Sequence, residues 1–324
     1  MKSGPMIRGR LAPSPTGAQH VGNARTYLAA WLSSRAQGGE VVLRIEDIDS
    51  PRIKVGATSL ALEDLSWLGL DWDGEMVVQS KRLNHYRQAL DFLLERELAY
   101  PCTCTRSEVQ QLASAPHEDL GELVYPGTCS GRKSSSLKEL VGKPHCLRFR
   151  TPRTPMTFND GFHNWVTLNP GEAGGDFAIW RASPGPESLS EMPAYQLAVV
   201  VDDASQGVTE VIRGEDLIPS TPRQILLYQN LNLQVPAFTH IPLVVGPDGR
   251  RLAKRHGDTR LHSLRDKGVK AEALLGLLAW SCGWLEKPAP VQAKDLIPVF
   301  KIQSIPREPF VLRQKHLEDL GYSL

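Results

Sequence analysis

Apolar and polar positions along the first hundred residues switch between two periods. Ile7 to Ala12 reads as a short strand that runs into a Pro/Ser/Gly loop, Pro13-Ser14-Pro15-Thr16-Gly17. Ala24, Leu28, Trp31 and Leu32 then recur at helical spacing until Gly38-Gly39 stops the helix. Val41 to Ile45 has the look of a buried strand and ends abruptly in Glu46-Asp47-Ile48-Asp49. Strand, helix, strand at this spacing predicts a right-handed crossover and a parallel sheet, with ligands bound beyond the carboxyl ends of the strands. The Pro/Ser/Gly loop and the Glu46 segment both fall there.

Two more helices are predicted, one around Leu60 to Leu68 and one from Ser80 to Leu98. The second carries Leu83, Tyr86, Leu90 and Leu93 on one face, with Ser80 as its N-cap. From Pro101 to about Pro193 the periodicity fades and Gly, Pro, Ser and Thr become frequent, as in an insertion. Regular structure returns with a predicted apolar strand at Tyr195 to Val201, closed by Asp202-Asp203. A second strand, Val208 to Ile212, ends in Arg213-Gly214-Glu215-Asp216. A helix at Arg223 to Leu231, a strand at His240 to Val245 and a helix at Ala271 to Gly283 follow.

Composition narrows the classes. A chain of 324 residues has room for about two domains. The net charge of +1 gives no global basic field, so a nucleic-acid partner has to meet a local patch. No run approaches the ~20 apolar residues of a membrane span. Met1-Lys2-Ser3-Gly4-Pro5 lacks the apolar core of a signal peptide, and a cytoplasmic location is expected. In that reducing setting, Cys102, Cys104 and Cys129 read as metal ligands rather than disulfides, with the fourth ligand left open. Cys146 and Cys282 stand apart and read as small packed hydrophobes. The expected architecture is therefore α/β. It has a Rossmann-like parallel-sheet domain in two halves (residues 1–100 and 194–262), a metal-bearing insertion (101–193) and a mainly helical C-terminal segment (263–324).

No Gly-x-x-x-x-Gly-Lys-Ser/Thr cradle is present. In its place, His20-Val21-Gly22-Asn23 sits at the turn into the first helix. A glycine there lets a nucleotide approach the backbone, and the helix N-terminus offers free N–H groups to phosphate. A second candidate loop is Arg251-Leu252-Ala253-Lys254-Arg255-His256-Gly257. Taken singly, these are a turn with a solvated histidine and a solvated basic loop. As a pair, they resemble the two signature motifs of class I aminoacyl-tRNA synthetases.

The likeness sharpens with Arg10-Leu11-Ala12-Pro13-Ser14-Pro15-Thr16-Gly17, Arg44-Ile45-Glu46-Asp47-Ile48-Asp49, Val200-Val201-Asp202-Asp203 and Val211-Ile212-Arg213-Gly214-Glu215-Asp216. In this order they resemble the glutamyl-tRNA synthetases over about residues 8 to 260. The resemblance implies Arg10 and Arg213 as ligands of the glutamate side-chain carboxylate, which suits a guanidinium fork. It implies Glu46 for the α-ammonium, with Ala12, Ser14 and Tyr195 completing the amino-acid site. It implies His20, Gly22, Asn23, Arg251, Leu252, Ala253, Lys254 and Arg255 around ATP, with Mg²⁺ on the nucleotide and with His20 and Lys254 stabilising the adenylation transition state. Arg251 stands where the family has a first lysine, Ala253 where it has a serine, and Asn23 where the general class pattern has a histidine.

Cys102-Thr103-Cys104 with Tyr125-Pro126-Gly127-Thr128-Cys129 resembles the Cys-x-Cys…Tyr-x-x-x-Cys set of the glutamyl-queuosine tRNA(Asp) synthetases. That likeness implies one structural Zn²⁺ on Cys102, Cys104, Tyr125 and Cys129, with His117 as the other candidate for the fourth place. A full glutamyl-tRNA synthetase continues into anticodon-reading domains, whereas this sequence stops at Leu324, about seventy residues after the basic loop. The expected activity is therefore ATP-dependent activation of L-glutamate and its transfer to the queuosine base of tRNA(Asp). The rival expectation is a shortened glutamyl-tRNA synthetase that charges a 3′ end. Neither an obligate protein partner nor a membrane is expected.

Overall fold

A computed structural model describes residues 6–15, 17–48, 56–105, 107–109, 124–182, 191–250, 252 and 258–321. The first strand, β1 (Arg8–Leu11), pairs in parallel with β2 (Glu40–Ile45), Arg8 opposite Glu40 and Leu11 opposite Leu43. Between them runs α1 (Val21–Ala36). A Cβ at Gly9 would lie 2.2 Å from Ser34 Oγ, so the missing side chain is what lets α1 settle on β1. The helix α2 (Ala57–Trp67), a short β3 (Val77–Val78) parallel to β2, and α3 (Leu83–Glu95) complete this half.

An antiparallel sheet follows, in the order β4 (Ala99–Cys102), β5 (His145–Phe149), β8 (Ala178–Ala182), β9 (Glu191–Pro193). The hairpin β6 (Met156–Asp160) and β7 (Asn164–Leu168) leaves that sheet and pairs elsewhere, ahead of the single turn α4 (Pro170–Ala173). After α5 (Tyr195–Ser205), β10 (Glu210–Gly214) pairs in parallel with β11 (Ala237–Ile241) on the far side of α6 (Thr221–Asn230). β11 in turn meets β6, Phe238 opposite Asp160. β1 and β10 lie side by side: Thr209 N–H donates to the Arg8 carbonyl at 2.9 Å, and Arg10 Nη1 donates to the Ile212 carbonyl at 3.3 Å. The remaining elements are β12 (Val244–Val245), α7 (Leu261–Asp266), α8 (Ala271–Ser281), β13 (Phe310–Val311), which pairs with β12, and α9 (Gln314–Glu318).

Sheet residues alternate between two hydrophobic cores, as period-2 side chains must when both faces are covered. Val41, Leu43 and Ile212 join α1, α8 and the C-terminal tail; Val42, Val211 and Phe238 join α3, α5 and the antiparallel sheet. The tail is tied in by Arg25, 1% exposed, which donates to the Pro242 carbonyl at 2.7 Å and to Ser281 Oγ at 3.1 Å. No helix among the described residues is long and apolar enough to cross a membrane.

Two local expectations are corrected. Tyr195 to Val201 is helical, the start of α5, not a strand. Leu197, Ala198, Val199 and Val200 are all buried, and an apolar run covered on every side carries no period by which to tell helix from strand. Ser80 does not cap α3, which begins after Arg82. It lies in a 3₁₀ turn, and its hydroxyl and N–H both donate to Asp47, at 2.5 and 2.7 Å.

Candidate active site and metal centre

The carboxyl ends of β1 and β10 open into a cavity of ≈410 Å³. It lies where connections leave β1 toward β2 on one side and enter β10 on the other, the crevice in which open α/β sheets take ligands. Of the residues singled out from sequence, Arg10, Ala12, His20, Gly22, Asn23, Glu46, Tyr195, Arg213 and Leu252 line this one space. Ser14 stands behind Glu46 and donates to its carbonyl at 3.2 Å. Arg251, Ala253, Lys254 and Arg255 lie outside the described residues, as does His117.

His20 is the N-cap of α1. Gly22 N–H donates to His20 Nδ1 at 3.1 Å, and His20 N–H donates to Asn23 Oδ1 at 3.0 Å, which closes a capping box. With Nδ1 accepting, a neutral ring carries its proton on Nε2, a donor. Asn23, which interrupts the general class pattern, is thereby spent on the backbone of His20. Gly22 is needed for close packing: a Cβ there would sit 3.0 Å from the His20 ring. The far side of the basic loop is anchored to this same turn. Val21 N–H donates to the Thr259 carbonyl at 3.0 Å, and Leu261 N–H donates to the Gln19 carbonyl at 2.8 Å. Leu252 brings the other end of that loop to the cavity wall.

The side of the cavity around Arg10 and Glu46 is built from buried charges. Arg10 approaches Asp203 Oδ1 at 3.5 Å, and its Nε is buried with no hydrogen-bond partner among the described residues. Glu46 pairs with Arg44, which the sequence reading gave no role of its own, at 2.9 Å. Arg44, fully buried, also donates to Asp203 Oδ1 at 2.6 Å and to Gln206 Oε1 at 3.1 Å. Burial opposes the Arg44 charge, but Asp203, Glu46 and Asp202 outweigh it and hold its pKa well above the usual arginine value. Burial pushes the Glu46 carboxyl up, with Arg44 and Arg10 pulling against it. Arg213 is lowered by burial, opposed by Tyr195 and aided by repulsion from Arg10, as expected for two guanidinium groups facing one space. Tyr27 also lines the cavity, its hydroxyl donating to Gln19 Oε1 at 2.7 Å. Its sole sequence signal was a polar tip on the apolar face of α1.

The cysteine cluster lies apart, at the end of β4. Sγ atoms of Cys102, Cys104 and Cys129 all fall within 4.8 Å of one another. The Tyr125 hydroxyl sits among them, 3.4 Å from Cys102 Sγ and 3.9 Å from Cys104 Sγ, and accepts from Cys129 N–H at 2.8 Å. The set could hold a metal ion. Cys146 is the β5 neighbour of Cys102, and Cys282 is buried in the first core.

A parallel sheet whose cavity combines a histidine-capped helix with a second loop is the architecture of a class I synthetase. The family described as tRNA synthetases class I (E and Q), catalytic domain, matches residues 6–318, and the chain belongs to it. A Glutamyl-Q tRNA(Asp) synthetase of Rhodopirellula baltica is 52% identical over 282 residues, covering 85% of this chain and 84% of that protein. One of Symbiobacterium thermophilum is 47% identical over 315 residues, covering 94% and 95%. Within the class I family, the chain is a member of this glutamyl-Q tRNA(Asp) synthetase branch. The glutamate–tRNA ligase of Aquifex aeolicus is 39% identical over 321 residues, covering 96% of this chain and 65% of that one. The crystal structure of glutamate-tRNA synthetase from Elizabethkingia anophelis superposes with a TM-score of 0.80 at 26% identity, covering 98% of this chain and 70% of that one.

Proposed function

We propose that this enzyme activates L-glutamate with ATP and transfers it to the queuosine base at the wobble position of tRNA(Asp). The observation that carries this reading is the convergence of Arg10, Arg213, Glu46 and His20 on one cavity. Its two buried guanidinium groups suit the side-chain carboxylate, and Glu46, paired with Arg44, suits the α-ammonium. That leaves the α-carboxylate to face the nucleotide end. There it attacks the α-phosphate of ATP and expels pyrophosphate, while His20 Nε2–H and Lys254 stabilise charge growing on the phosphates. Mg²⁺ bound with ATP supplies further neutralisation. A hydroxyl of the queuosine cyclopentene ring then attacks the mixed anhydride and releases AMP. The greater identity to relatives named Glutamyl-Q tRNA(Asp) synthetase than to glutamate–tRNA ligases supports this acceptor over a tRNA 3′ end.

The cysteine cluster fits zinc in a structural role. A tetrahedron of Zn–S bonds near ~2.3 Å has edges of about 3.8 Å. Cys104 and Cys129 Sγ stand 3.7 Å apart, with the Tyr125 oxygen at comparable separations.

The test is mass analysis of nucleosides after incubation with glutamate, ATP and queuosine-containing tRNA(Asp), alongside tRNA(Glu). A queuosine nucleoside heavier by one glutamyl group is expected. Glutamate esterified to the 3′ end of tRNA(Glu) instead would overturn the choice of acceptor.

A further inference from the structure

Arg213 emerges from β10 into a buried set of polar contacts. Its Nε donates to His240 Nε2 at 3.0 Å, Nη1 to Gln224 Oε1 at 2.9 Å, and Nη2 to Thr221 Oγ1 at 2.9 Å and the Leu217 carbonyl at 3.4 Å. Among the described residues, four of its five N–H groups are thus engaged, and one Nη1 hydrogen remains for a ligand. Arg213 therefore offers a carboxylate one aimed donor rather than a two-pronged fork. Whatever fixes the guanidinium plane decides where that donor points.

The contact to Nε is the one with a chemical condition attached. Arginine Nε–H can only donate, so His240 Nε2 must be unprotonated, and the ring proton must sit on Nδ1. Nδ1 faces Asp160 Oδ2 at 2.6 Å, a carboxylate that accepts it. The carboxylate is itself pinned: its Oδ1 accepts from the backbone N–H groups of Phe162 and His163, at 2.9 Å each. Asp160, His240 and Arg213 are 1%, 0% and 4% exposed. Burial, reinforced by the Arg213 charge and opposed by Asp160, pushes His240 down to about 4, so the ring stays neutral near neutral pH.

We propose that His240, held in one tautomer by Asp160, is a positioning residue that aims Arg213 at the side-chain carboxylate of the amino-acid substrate. The proposal rests on the glutamate-activating function above. It assigns no group transfer to His240, which reaches the substrate only through Arg213. The polar chain runs from a tight turn after β6, across β11, to β10, and so links the hairpin of residues 156–168 to amino-acid selection.

Three variants separate positioning from structural support. His240→Gln keeps an acceptor oxygen near the place of Nε2. His240→Asn keeps a donor near Nδ1 but gives Arg213 Nε nothing to meet. Asp160→Asn keeps the shape but frees the ring to flip its proton to Nε2, the fault that an aspartate-to-asparagine change causes in a catalytic triad. Glutamate-dependent ATP–pyrophosphate exchange is measured for each, with KM for glutamate and for ATP, and thermal midpoints confirm folding. The glutamate KM is expected to rise about 10-fold or more in His240→Asn and Asp160→Asn, the size of a lost hydrogen bond to a charged group. The ATP KM should stay within about twofold, and His240→Gln should recover most of the affinity. Active wild type with an unchanged glutamate KM in His240→Asn and Asp160→Asn would overturn the positioning role alone. So would equal rises in both KM values, or a His240→Gln variant as impaired as His240→Asn. Wild type without glutamate-dependent exchange would overturn the parent function and this role together. If His240→Asn fails to fold, Asp160→Asn decides the matter by the same criteria.

Discussion

Replacing Arg44 with methionine isolates the charge that organises the Glu46 and Asp203 side of the cavity. The change keeps length and apolar bulk but strands two carboxylates. Glu46 loses contacts at 2.9 and 3.2 Å, and Asp203 loses one at 2.6 Å. Hydrogen bonds to charged groups are worth ~1.5–3 kcal/mol each, so two stranded partners imply roughly 3–6 kcal/mol. This agrees with the ~3–5 kcal/mol typical of removing one member of a buried pair. The assay is guanidinium denaturation followed by tryptophan fluorescence, at pH 7 and at pH 4.5. Glu46 already has a raised pKa in the native protein, from burial first, and without Arg44 it rises further. A raised carboxyl favours the folded state while protonated. Its contribution is fully present below the unfolded value near ~4.3 and is lost as pH climbs through the native pKa. The variant's deficit should accordingly be largest at pH 7 and shrink by about half or more at pH 4.5. A deficit below ~1 kcal/mol at pH 7, or one of equal size at both pH values, would show that the buried carboxylates do not depend on Arg44.

Three further outcomes are expected. Cys129→Ser should lower bound zinc from about one ion per chain to a small fraction, read by elemental mass spectrometry; full retention would remove Cys129 from the ligand set. Gly276→Ala, in the middle of α8, would gain ~1 kcal/mol from helix propensity alone. Its Cβ, however, would fall 2.0 Å from the Ala289 carbonyl oxygen, so a net loss of roughly 1–3 kcal/mol is expected, and a rise in thermal midpoint would refute the packing. Lys254→Ala should cut kcat in pyrophosphate exchange about 100-fold without moving the thermal midpoint, and unchanged kinetics would remove that lysine from the chemistry.

Much of this was legible in the chain because it depends on neighbours in sequence. The β1–α1–β2 crossover shows as period 3.6 between two short apolar runs, and Glu46 at the end of β2 stood out as an acid that a buried strand has no reason to keep. α5 was misread because complete burial erases the pattern that distinguishes helix from strand. Arg44 entered only as part of a motif, with no role of its own, and Asp160 and His240 gave no usable signal. Each is an ordinary polar residue in or beside a strand, and its meaning comes from a partner on another strand: Asp203 for Arg44, and the pair β6–β11 for Asp160 and His240. Donor and acceptor roles across 80 or more positions do not show in local composition. For the fourth place of the cysteine cluster the resemblance offered Tyr125, with His117 as the other candidate; Tyr125 turns its hydroxyl toward Cys102 and Cys104 Sγ, while His117 lies outside the described residues.

The pair of backbone hydrogen bonds joining Gln19 and Val21 to Thr259 and Leu261 has a consequence for how the enzyme comes into being. Those rungs connect points some 240 residues apart, and closing so long a loop is slow. On the ribosome, the first β–α–β unit emerges some 240 residues before the stretch of chain that closes this wall of the cavity. The nascent chain therefore carries half of this cavity across that whole interval, and the closed cavity arrives as a late event in folding.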